Sequence, residues 1–130
     1  MEIKGKKVIL RQWRIGDAKE LRASANDKSI ARFTTIPSPY MPKHAREFIK
    51  KARKNFKQKK EYCFVIVEKN GGEMVGAISI IRMEPKNKKA EFGYWLGKKH
   101  RKKGYMIESV KLLLEFAFGK LKLNRIKICC

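Results

Sequence analysis

The stretch from Ala90 to Ser109 holds the residues whose types and spacing could do chemistry: Ala-Glu-Phe-Gly-Tyr-Trp-Leu-Gly-Lys-Lys-His-Arg-Lys-Lys-Gly-Tyr-Met-Ile-Glu-Ser. An apolar run with strand character ends near Leu96. A loop with five Lys and Arg among the six residues Lys98 to Lys103 follows, and Gly104 opens a helical pattern. A helix start carries backbone N–H groups without intrahelical acceptors and the positive end of the helix dipole, which together attract anions. Gly104 lets a bulky group approach the backbone closely. The pattern predicts a phosphate-bearing ligand at this turn; the plain alternative is a charged turn that starts a helix.

Other chemically capable residues are sparse. Cys63, Cys129 and Cys130 contain no C-x-x-C and cannot all pair within the chain, which excludes a disulfide framework and a zinc ribbon; no metal is expected. Cys129 and Cys130 read as small hydrophobes on opposite sides of a strand. His44 falls in the first turn of a basic helix and His100 in the basic loop, and both read as solvated side chains. Tyr94 and Tyr105 read as packing residues and Glu108 as helix surface.

The surrounding elements must position that segment. Lys7 to Trp13, with Val8-Ile9-Leu10, reads as a strand. Asp17 with Glu20 reads as a capping box that opens a helix through Leu21 and Ala25. A short turn is expected over Lys28 to Phe33. Ile36 to Pro42, with three prolines in seven residues, reads as an apolar loop bearing Tyr40. Ala45, Phe48, Ile49, Ala52 and Phe56 recur at helical spacing, with Arg46, Lys50, Lys54 and Lys57 on the outer face. Tyr62 to Val67, Met74 to Ile81 and Ala90 to Leu96 form a three-stranded meander. Its first turn is Lys69-Asn70-Gly71-Gly72, with positive φ expected at Asn70 and Gly71, and its second is Glu84-Pro85-Lys86-Asn87. Met106, Ile107, Val110, Leu113, Leu114, Ala117 and Phe118 trace a helical stripe that Gly119 closes. Leu123 to Cys130 returns to strand alternation. The order is β-α-α-β-β-β-α-β, an α/β (α+β) layer fold in which the last strand can lie parallel to the one before it.

The chain has 130 residues, which suits a single domain over 1–130. With 33 Lys and Arg against 12 Asp and Glu, its net charge is +21. Such a chain is drawn to polyanions such as nucleic acid, ribosomes or phosphorylated cofactors, and repels polycationic small molecules at long range. The lysines spread along the whole chain, so there is no detachable basic tail. No apolar run is long enough to span a membrane, and Met1 to Gly5 lacks the apolar stretch of a secretory leader. A cytoplasmic protein without membrane association is expected.

Taken whole, the chain resembles the GCN5-related N-acetyltransferase family, and within it the branch that acetylates N-termini of ribosomal proteins. Ile9-Leu-Arg11 with Asp17-Ala18, Asn26-Asp27 into Ile30-Ala-Arg-Phe33, Ala45-Arg-Glu-Phe-Ile49, Ala90-Glu-Phe-Gly-Tyr-Trp-Leu96 and Leu123-Asn-Arg-Ile126 are similar to that branch's successive elements. The family's cofactor motif, Arg/Gln-x-x-Gly-x-Gly/Ala, reads Arg101-Lys102-Lys103-Gly104-Tyr105-Met106 here. The first two anchors match and Met106 departs, although its backbone N–H can still donate.

The resemblance implies a mixed central sheet flanked by helices and acetyl-CoA as cofactor. The backbone of Lys102 to Met106 would bind its pyrophosphate, with Arg101 anchoring the motif, and Trp95 and Leu96 would bond the pantetheine arm. It implies acetyl transfer to an amine, most simply a protein N-terminus. That amine titrates near 8 rather than near a lysine's 10.4, so about a tenth is neutral at pH 7. Glu91 would be the general base, directly or through water. The Ile36 to Pro42 loop would cover the acceptor side. The family continues past its fifth strand with a helix and two strands that supply a tyrosine acid. Against that pattern the chain is C-terminally shortened, and an open sheet edge would favour a homodimer or a partner strand. Two other functions compete. One is a non-catalytic acyl-CoA-binding remnant. The other is a basic RNA- or ribosome-binding module, which would lack the stacked aromatics of RNA-recognition motifs.

Overall fold

The computed structural model describes residues 2–25, 42–84, 86–97 and 104–129. Six strands form one sheet in sequential order: β1 (Glu2–Lys4), β2 (Val8–Gln12), β3 (Tyr62–Glu68), β4 (Met74–Glu84), β5 (Lys89–Leu96) and β6 (Arg125–Cys129). The first five pair antiparallel, and β6 runs parallel to β5 from Lys89↔Arg125 to Gly93↔Cys129. The parallel pair needs a crossover, supplied by helix α3 (Tyr105–Glu115). Helices α1 (Ala18–Ala25) and α2 (Pro42–Lys57) precede the meander.

Each face of the sheet has its own core. On one, Val8, Leu10, Phe64, Ile66, Ile78, Ile80 and Phe92 pack with Leu113, Phe116 and Ala117 of α3 and its extension. On the other, Trp13, Cys63, Val65, Val67 and Ala77 pack with Leu21 of α1 and with Ala45, Ile49 and Ala52 of α2. Helices on both faces explain why β3 is buried along Tyr62–Val67 without polar alternation. Phe56, Tyr62, Phe64 and Phe116 lock the first core with edge-to-face contacts at 5.0–5.9 Å between centroids. No helix among the described residues is long and apolar enough to cross a membrane.

Several local expectations need correction. Glu2–Lys4 forms an extra first strand beside β2, a stretch too short and too charged to carry alternation. Asp17 lies in a 3₁₀ turn, Ile15–Asp17, ahead of α1, and its carboxylate turns back to accept from the Arg14 N–H at 2.8 Å and from both Nη atoms of Arg11 at 2.9 Å. In the β3–β4 turn the positive φ falls on Gly72, at 70°, not on Asn70 or Gly71; the Gly72 N–H donates to the Glu68 carbonyl at 2.8 Å, a four-residue loop rather than a two-residue one. β4 runs on past Ile81 to Glu84 through an irregularity where Arg82 has φ 48°. Gly119 does not close the last helix in the left-handed region. The helix passes into a π turn, Phe116–Lys120, and Lys122 takes the positive φ of 57°. Ile107 and Phe118 belong to the periodic stripe yet remain 67% and 44% exposed. Residues 28–33 and the loop from Ile36 through Met41 lie outside the described residues.

The Arg11–Asp17 pair joins β2 to the start of α1, with side chains only 14% and 13% exposed. Burial alone would raise the Asp17 carboxyl. The hydrogen bonds from the Arg11 guanidinium and the Arg14 N–H, with the Arg11 charge, outweigh it and hold the carboxyl below 3.8. A depressed carboxyl stabilises the fold above its ordinary value and loses that contribution as the pH falls through the lowered one. Asp17→Asn is expected to cost about 2 kcal/mol at pH 7. Urea titrations of both proteins should show the gap closing only in acid, below the ordinary carboxylate range.

Candidate active site

The sheet brings several chain segments to one end: the turn between β1 and β2, the end of β3, the start of β4, the end of β5 and the N-terminus of α3. At that end Gly104 is the N-cap of α3 in the left-handed region, φ 78° and ψ 3°. An L side chain is disfavoured there, so glycine is required by the backbone as well as by any close ligand. Tyr105 and Met106 open the helix behind it, both half-buried. The helix is anchored inward by Leu113 and by Ser109, which is fully buried and donates to the Tyr105 carbonyl at 2.7 Å.

Trp95 and Leu96, expected beside a ligand arm, end β5. They lie opposite Ala77 and Gly76 of β4, past Gly93, where the register with β6 stops. Trp95 packs toward the core under α1 and α2, and Leu96 toward the core under α3. The strand therefore ends between the two layers. Tyr105 donates its hydroxyl proton to Glu68 Oε2 at 2.7 Å. That bond, with the Glu68 and Glu73 charges, pushes the phenol above its ordinary value. The ring ties α3 to the end of β3 and makes a poor proton donor.

Glu91 sits on β5 opposite Ile81. Its Oε2 accepts from Arg82 Nη1 at 2.6 Å, and its side chain is 21% exposed against 70% for Arg82. With Arg82, Glu84, Lys89 and Arg125 it lines an open cleft of about 460 Å³. Glu91 and Leu96 are five residues apart along an extended strand, roughly 16 Å. The carboxylate and the end of the strand that meets the helix start are thus separate stations on one strand, and a long flexible molecule is needed to touch both.

Arg101, Lys102 and Lys103, expected to anchor the motif, lie outside the described residues, as do His100 and Cys130. The structure brings Gly104, Tyr105 and Met106 to the end of the sheet where β5 finishes at Trp95 and Leu96, and sets Glu91 further back on that strand. Sequence reading missed two residues at the helix start. Glu108, expected on the helix surface, accepts from the N–H groups of Lys7 and Val8 at 2.8 and 3.1 Å. The Lys7 ammonium lies 3.1 Å from where a Cβ on Gly104 would stand. Nothing local marks one lysine among 33 Lys and Arg, and the partnership spans some hundred residues.

The comparisons agree with this architecture. The family model described as the acetyltransferase (GNAT) domain matches residues 7–130. YjcK of Bacillus subtilis (strain 168), provisionally described as an N-acetyltransferase, is 30% identical over 130 residues, covering 96% of this chain and 72% of that one. A Vibrio cholerae structure provisionally described as a ribosomal-protein-serine acetyltransferase superposes with a TM-score of 0.90 at 25% identity, covering 100% of this chain and 74% of the other. RimL, a ribosomal L7/L12 alpha-N-protein acetyltransferase solved in complex with coenzyme A, shares the fold with a TM-score of 0.85 at 20% identity, covering 98% and 73%.

Gly104→Ala should force an unfavourable left-handed alanine at the helix start and cost about 1 kcal/mol. It should appear as a lower urea midpoint with an unchanged slope.

Proposed function

The chain belongs to the GNAT acetyltransferase family, and from that premise we propose that it moves an acetyl group from acetyl-CoA to a primary amine, most specifically a protein N-terminus. Residues 1–130 are read as one such domain. The observation that carries the reading is the placement of a left-handed glycine N-cap at the end of the strand that bears Glu91. The residues present fit the coenzyme: Gly104 leaves room at a helix start for a diphosphate, and the roughly 16 Å between Leu96 and Glu91 along β5 suits an extended pantetheine arm. Arg101, Lys102, Lys103, Tyr105 and Met106 join the phosphate end, the last two through backbone N–H groups at the first turn of α3. Trp95 and Leu96 hold the arm by their backbone.

When bound, the coenzyme supplies a thioester carbonyl that an amine attacks, the C–N bond forming as the C–S bond breaks and the thiol departs with a proton. The protein's part is to position and to move a proton. Glu91 takes the proton that the amine nitrogen must shed, directly or through one water. Arg82 Nη1 donates to Glu91 Oε2, and Glu91 lines the cleft. An α-amino group suits so simple a base, since about a tenth of it is already neutral at pH 7.

The net charge of +21 supports approach to a ribosome and works against polycationic acceptors. Among the described residues β6 is the outermost strand beside β5, and pairing of its edge with a second copy is proposed. Sedimentation at micromolar concentration would read a dimer mass if that edge is used and a monomer mass if it is not.

Calorimetric titration of acetyl-CoA at moderate salt should show saturable binding near one per chain. A peptide with a free N-terminus should then be acetylated, and the same peptide with a blocked N-terminus should not. Glu91→Gln should keep the coenzyme affinity and lower turnover by about a hundredfold or more. Binding without turnover on any amine would establish a non-catalytic binding protein, and loss of binding with salt would leave only charge.

A further inference from the structure

We infer that the outer face of α2 is a docking surface for the phosphate backbone of RNA. The surface rests on this chain's own cations; the choice of RNA as the polyanion rests on the approach to a ribosome proposed above. Lys43, Arg46, Lys50, Lys54 and Lys57 follow one another at steps of three, four, four and three residues, which on a helix makes a single line of neighbours. All five are exposed, and the line is about 21 Å long. Among the described residues none of the five is held in an ion pair. Like charges at that spacing destabilise a helix, and a polyanion laid along them reverses the sign. The helices are not equally basic. α2 has seven Lys and Arg against one Glu, whereas α3 has Lys111 against Glu108 and Glu115, and α1 has Lys19 and Arg22 against Glu20. Cations that served solubility alone would have no reason to gather on one helix in one line.

The opposite face of α2 fixes the row in place. Ala45, Ile49 and Ala52 are buried against the sheet, and Arg53 donates from Nη1 to the Trp13 carbonyl at 2.7 Å. A helix that binds a lipid surface buries its apolar face in the lipid; the apolar face of α2 is already covered by the protein. Outward it presents point charges and no ring for bases to stack on. Phe48, beside the row, sets its ring edge-to-face against Trp13 with centroids 5.5 Å apart. A rigid, evenly spaced row of cations suits the evenly repeated charge of a duplex, bound through phosphates without base readout, better than the uneven charge of an acidic protein. Trp95 of β5 packs into the core under α2. Glu91 lies four residues back on the same strand and so falls on the same face. The docking row and the candidate base share one side of the sheet.

The test titrates a fluorescent RNA duplex of mixed sequence with the full chain over a range of salt, without coenzyme. Combined Arg46→Gln, Lys50→Gln and Lys54→Gln should lower the affinity about tenfold or more and flatten the slope of log affinity against log salt by about two to three. Combined Lys86→Gln, Lys111→Gln and Lys120→Gln gives the same net charge from exposed sites off α2, and should leave the slope within about one of the parent's. Combined Lys50→Arg and Lys54→Arg, which keeps the row charged, should bind as the parent does. Equal losses in the two triple variants would reduce the effect to net charge and overturn the inference. So would binding of polyglutamate, or of vesicles containing phosphatidylserine, that matches the duplex in affinity and in its dependence on the row. Acetyl transfer is read separately on a short peptide with a free N-terminus, and the α2 triple variant should match the parent there. A parent that binds RNA through the row but transfers no acetyl group sinks the proposed activity alone; one that acetylates the peptide but binds no RNA sinks this inference alone.

Discussion

Two parallel strands cannot be joined by a tight turn, and that requirement shapes everything at the site. β5 and β6 run the same way, so the chain leaving Leu96 must travel the length of the sheet before Arg125. α3 makes the journey, and Leu113, Phe116 and Ala117 bury against the sheet to hold it there. The helix therefore starts at the end where β5 finishes. An anion-attracting helix terminus is delivered beside the end of the strand that bears Glu91 as a consequence of topology, with no residue needed for that purpose alone.

The remaining parts of the site are held by polar ties across the same end of the sheet. Glu108 binds the start of β2, Tyr105 binds Glu68 at the end of β3, and Lys69 binds the turn between β1 and β2. In a chain with 12 acidic residues against 33 Lys and Arg, four of the described carboxylates are committed to specific partners near the proposed chemistry or the entry to α1: Glu108, Glu68, Glu91 and Asp17. Acids this scarce stand out for what they hold. Arg82 reaches Glu91 from a backbone with φ 48°, a conformation that costs a non-glycine residue about 1–2 kcal/mol and that the β4 irregularity imposes.

The element types were legible wherever a period was long and clean. α2 showed its stripe at Ala45, Ile49 and Ala52, and β3 showed a continuous apolar run; both appear where periodicity places them. The helix start at Gly104 was legible because a glycine after a basic loop has few other uses. Short or irregular features were not. β1 has three residues, two of them charged, and owes its existence to pairing with β2. The positive φ at Gly72, the π turn after α3 and the exposure of Ile107 are set by how loops and layers meet, which no local window encodes.

The residues themselves determined the family, the layered α/β order, the anion-attracting turn at Gly104 and the candidate carboxylate Glu91, because each is written in composition, spacing or a short motif. Tertiary structure alone decided that Lys7 comes beside the helix start, and which carboxylate is tied to Arg82 and which to backbone N–H groups. Those choices depend on contacts between residues as distant as Lys7 and Glu108, and such contacts exist only after the sheet has aligned its strand ends.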